Sequence, residues 1–141
     1  MVPRRMAAGD RTSQPTGAAP SSGYAAPPIM GRPRTLSDAT FRDTVAGSAL
    51  PVLVDFWAQW NSTCKALAPS IDVLAEEYEG RAIVAKLEVN ANPVTPAMFG
   101  ITSVPQLLFF VDGQVASRIV GYLPIDALRA ELHALLEPAG R

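Results

Sequence analysis

The sequence predicts an α/β fold, a central mixed β-sheet flanked by helices on both faces. Three observations point there. Apolar, β-branched and aromatic runs of strand length recur at residues 51–57, 81–89 and 104–111, and such continuous runs belong to strands covered on both sides. Segments with helical spacing separate and follow them, which builds parallel neighbours. The pair Asp112-Gly113 then links the third run to another strand-like stretch, the signature of a tight hairpin, and so adds an antiparallel member.

Taken in order, residues 1–33 come first. They hold six prolines and four glycines among alanine, serine and threonine, without periodicity. Such a segment buries too little apolar surface to offset its chain entropy, and a disordered tail is expected. Its charge is +3 (Arg4, Arg5, Arg11 and Arg32 against Asp10), which leaves −4 of the total −1 on the remainder. The globular domain is expected over 34–141. Ser37-Asp38 precedes ATFRDTV, a capped helix that Gly47 can close. PVLVDFW is the first long strand. A helix follows from about Ser62, with Leu67, Ile71, Leu74, Ala75 and Tyr78 on one face, a kink expected at Pro69 and Gly80 at its end. RAIVAKLEV is the second strand, 93–99 a short helix stopped by Gly100, VPQLLFFV the third strand and QVASRIV its hairpin partner. Pro124 opens a last helix whose Ile125, Leu128, Leu132, Leu135 and Leu136 share a face.

Composition narrows the function classes. The 141 residues fit one domain, and 48% hydrophobic content supplies a core. A net charge of −1 with no basic stripe argues against nucleic acid. No stretch approaches the ~18 apolar residues of a membrane span, and MVPRRMAAGD lacks the apolar core of a signal peptide. The single cysteine, Cys64, permits no intramolecular disulfide and no cysteine-based metal site. A cytoplasmic monomer without metal or cofactor is the expectation.

The chemistry-bearing stretch is Trp60-Asn61-Ser62-Thr63-Cys64-Lys65, where a buried strand runs into a helix. Asn61 and Ser62 are good helix N-caps. Asn61-Ser62-Thr63 also matches a glycosylation sequon, which carries little weight at a helix start without a secretory signal. Cys64 lies one turn in, followed by Ala66, Ala68 and Pro69, which favours an inert, buried thiol. Lys65 and the helix N-terminus favour a thiolate. Asp55 lies mid-strand among apolar residues, where a carboxylate is costly unless paired. Arg129, His133 and Glu137 fall at i, i+4 and i+8 beside the apolar stripe of the last helix and read as a solvated face.

The segment VLVDFWAQWNSTCKALAPSIDVLAEEY, followed in order by AKLEVNANP, FGITSVPQLLFFVDGQV and IVGYLPIDALRAEL, resembles the thioredoxin family over roughly residues 35–137. The resemblance implies the thioredoxin fold, a cis-proline at Pro105 and protein-disulfide reduction. In the family the motif is Trp-Cys-Gly-Pro-Cys-Lys: the first thiol attacks a substrate disulfide and the second resolves the mixed disulfide. Here the first cysteine is Asn61, Gly-Pro is Ser62-Thr63, and only the second cysteine remains, as Cys64. The threonine that usually follows the cis-proline is Gln106. The resemblance further implies that Asp55, with Lys86 nearby, moves the proton of Cys64; the alternative is a structural remnant paired with Lys86. It also implies a shallow groove lined by Trp60, Val104, Pro105, Gly121 and Tyr122, in which the backbone of Val104 pairs with an extended peptide. With Asn61 in place of the attacking thiol, the expected function is a partner- or peptide-binding, chaperone-like module. The alternative is a monothiol redox protein using Cys64.

Overall fold

A computed structural model describes residues 32–136. The expected disordered tail lies outside the described residues except for Arg32 and Pro33, as does Glu137. The elements are β1 Arg34–Leu36, α1 Phe41–Ala46, β2 Val52–Trp57, α2 Ser62–Glu77, β3 Ile83–Glu88, α3 Val94–Met98, β4 Gln106–Val111, β5 Gln114–Val120 and α4 Ile125–Leu136. They form one five-stranded sheet in the order β1-β3-β2-β4-β5. β3 pairs in parallel with both β1 and β2, while β4 runs antiparallel to β2 and β5. The sheet is therefore mixed, as the hairpin requires. Asp112 (φ 53°) and Gly113 (φ 78°) both take the left-handed conformation of a tight hairpin turn.

The period-2 alternation of each strand sorts its side chains into two cores. On one face Leu53, Val84, Leu107 and Phe109 meet Leu67, Ile71, Leu74 and Tyr78 of the α2 segment and Leu128 and Leu132 of α4. On the other, Val52, Val54, Phe56, Leu108 and Phe110 meet Phe41 and Val45 of α1. Phe99, just after α3, closes this second core, with ring centroids 5.5 Å from Phe41 and 5.4 Å from Phe110. Tilted and edge-on packing at these distances adds to area burial. No described helix is long and apolar enough to cross a membrane.

One local expectation needed revision. Asp38 does not cap α1. Its carboxylate accepts from Val94 N (3.1 Å) and Thr95 N (2.7 Å), and so caps α3 across 56 residues of sequence. Burial pushes this carboxyl up, but the hydrogen bonds from Thr95 and Val94 outweigh it and hold the group below its ordinary value. The helix α2 holds Pro69 inside a single continuous element. The α4 face expected to be solvated is solvent-exposed at His133 and also reaches the α2 segment: Arg129 forks onto Glu77 at 2.8 and 2.7 Å, and the His133 ring stands edge-on to Tyr78 with centroids 5.6 Å apart.

Candidate functional site

Register fixes the site. Trp57 pairs with Glu88, Phe56 with Gln106, and Gln106 with Val120. Residues 58–61, Val89, 101–105 and Gly121 therefore emerge at one rim of the sheet, where α2 begins. The candidate residues Trp60, Asn61, Val104, Pro105 and Gly121 come together there. The Val104–Pro105 peptide bond is cis.

Asn61 is the N-cap of α2, with the extended backbone (φ −97°, ψ 120°) that a cap needs. Its Oδ1 accepts from Cys64 N at 2.8 Å. Its Nδ2 donates to Val104 O at 3.3 Å, so one amide ties the helix start to the loop before the cis-proline. Gly121, at φ +95°, donates its N–H to Pro105 O at 2.9 Å.

A pairing of buried Gln106 with exposed Arg118 that sequence reasoning did not foresee supports the same loop. Gln106 is buried; its Nε2 donates to Ser103 O at 3.0 Å and its Oε1 accepts from Arg118 Nη1 at 2.9 Å. Arg118 Nη2 reaches Phe99 O at 2.7 Å. The sole hint in the sequence was that Gln106 departs from the usual threonine. Arg118 gave no signal, because only the β4–β5 pairing places it beside Gln106.

Cys64 is 3% exposed. Burial raises its thiol pKa above the ordinary value; a backbone hydrogen bond with Ala58 opposes this and the charge of Asp55 adds to it. A thiolate is thus disfavoured, the reverse of what an attacking sulfur needs. Asp55 is also buried, and burial pushes its carboxyl up to about 7 against the opposing pull of Lys86. The direct Asp55–Lys86 pair that the sequence suggested does not form. Although the two residues are register partners on β2 and β3, Lys86 Nζ lies 5.1 Å from the centre of the Trp57 ring. Asp55 Oδ1 has no hydrogen-bond partner. The parallel pairing aligns the backbones, but Lys86 is half-exposed and its ammonium stacks on the indole, where it keeps water contact.

A concavity of about 130 Å³ is lined by Trp60, Val89, Ile101, Thr102, Ser103 and Val104. Pro105 is buried and does not line it; nor do Gly121 and Tyr122. Trp60 is 68% exposed and forms a prominent apolar rim. The sequence motif FGITSVP contained Ile101, Thr102 and Ser103, but only the fold brings them opposite Trp60. Among the described residues no group of three or more histidine, cysteine or acidic side chains is placed to hold a metal ion.

Comparison with known proteins gives a consistent result. The Thioredoxin family model matches residues 32–134. A thioredoxin from Synechocystis sp. is 43% identical over 101 residues, which cover 72% of this chain and 94% of that protein. One from Alicyclobacillus acidocaldarius is 42% identical over 103 residues, covering 73% and 97%. Among solved structures, a mutant thioredoxin from Halobacterium salinarum superposes with a TM-score of 0.70 at 30% identity, covering 77% of this chain and 94% of that one.

Proposed function

The chain belongs to the thioredoxin family, and from that premise we propose that it is a member without dithiol chemistry, a module that holds an extended protein segment against Trp60 and the loop before Pro105. The observation that carries this reading is Asn61. Where the resemblance places the attacking thiol, an amide sits instead, engaged on both sides by Cys64 N and Val104 O. With Cys64 the one thiol of the sequence, there is no second thiol to form an internal disulfide and carry two electrons. The exposed indole and the apolar concavity remain, and they suit binding rather than turnover. A lone cysteine with no thiol partner in the sequence fits a reducing compartment, so we place this activity in the cytoplasm.

The test is binding of a carboxymethylated, permanently unfolded polypeptide, followed by tryptophan fluorescence. Saturable binding that Trp60→Ala weakens at least tenfold is expected. Absence of saturable binding by the unmodified chain overturns the reading.

A monothiol redox role has one observation in its favour. Asp55, with its carboxyl near neutrality, influences Cys64 electrostatically and is chemically able to accept its proton. The reactivity of Cys64 decides between the two.

A further inference from the structure

The backbone of the groove wall is hydrogen-bonded unevenly. Along residues 99–105 the carbonyls of Phe99, Ser103, Val104 and Pro105 accept, in turn, from Arg118, Gln106, Asn61 and Gly121 N. Within the same stretch Gly100 N and Ile101 N donate to Ala97 O and Pro96 O. The N–H groups of Thr102, Ser103 and Val104 donate to no described residue. The lining stretch 101–104 thus offers three free donors, while the carbonyls of Ser103 and Val104 are already engaged. These three residues line the concavity faced by the exposed Trp60 ring.

An ordinary extended peptide brings one N–H for every C=O. Docked here, its carbonyls find donors, but its N–H at Val104 must share an oxygen with Asn61 Nδ2 or lose its partner as water leaves. Losing a hydrogen-bond partner on burial is costly. Proline removes the difficulty, because it keeps the carbonyl and has no N–H, and its ring packs well on an aromatic face. We propose that the groove selects an extended segment of another protein that carries proline opposite Val104, and that Asn61 is the residue setting this preference. The inference rests on the peptide-holding reading and specifies its partner.

The test is a proline scan. Nine-residue, thiol-free valine/serine peptides, each with one proline moved through the positions, are titrated against the full chain. Proline at one or more positions is expected to raise affinity at least fivefold over the proline-free host. In Asn61→Ser the hydroxyl still caps α2 but is too short to reach Val104 O, and the preference is expected to fall below twofold. Asn61→Asp, which keeps the capping oxygen and has no donor for Val104, is the second variant and is expected to do the same. Equal affinity with and without proline at every position overturns the proposal and leaves the peptide-holding reading intact. So does a preference unchanged in both variants. No binding by any peptide brings down both.

Discussion

At position 61 a single amide does two structural jobs, and each can be removed separately. Asn61→Ala deletes the cap on α2 and the tie to Val104, and should cost about 1–2 kcal/mol of stability. Asn61→Ser retains a capping oxygen and should cost less than half as much; denaturant midpoints compare the two. Asp55 gives a second prediction at this scale. An unfolded aspartate titrates near 3.9, whereas the native carboxyl is pushed up to about 7 by burial. Between those values the native state holds the proton more tightly, so stability falls as pH rises through this window and levels off above it. Asp55→Asn, which does not ionise, should be more stable than the unmodified chain at pH 8 by on the order of 4 kcal/mol, with the advantage shrinking as pH falls from about 7 and gone by about pH 4. Thermal unfolding across that range checks the sign; an advantage that grows toward low pH contradicts the assignment.

Elements are joined here by long-range side-chain ties as well as by apolar packing. Arg118 on β5 reaches Gln106 at the start of β4 and Phe99 after α3, and so holds both ends of the loop that walls the groove. Arg118→Ala leaves the buried Gln106 Oε1 without its donor and should cost about 1–3 kcal/mol. Amide exchange at Gly100 and Ile101 should accelerate more than in the β2–β3 core, because the loop loses an anchor while the central strands keep theirs. Asp38 does the same for α3 from the turn before α1. Asp38→Ala should destabilise by about 1 kcal/mol through loss of that cap. Faster exchange in α1 than in α3 would show that the carboxylate serves the nearer helix instead.

Across the whole molecule, the sheet and its two cores follow from short-range patterns. The apolar runs at β2, β3 and β4 must be covered on both faces, and the Asp112-Gly113 turn forces β5 antiparallel to β4. Helix faces followed from the spacing of Leu67, Ile71 and Leu74 and of Leu128 and Leu132. The cap on α2 was equally legible, because Asn61 immediately precedes its helix. What the sequence did not disclose depends on juxtaposition. Asp38 and Thr95, Arg118 and Gln106, and Asn61 and Val104 are 57, 12 and 43 residues apart, and no local pattern pairs them. Lys86 misled for a related reason: sharing a register with Asp55 did not oblige a long, snorkelling side chain to point at it.

The central claim is that this member of the family keeps the fold and has given up the thiol chemistry. It is tested most directly by the alkylation rate of Cys64 against pH, in the folded and the denatured protein. The account predicts a folded thiol that reacts far more slowly than the denatured one at every pH, as its burial and raised pKa require. A folded thiol that reacts fast, with a midpoint clearly below the ~8.5 of a free cysteine, would contradict it and leave the monothiol enzyme in its place.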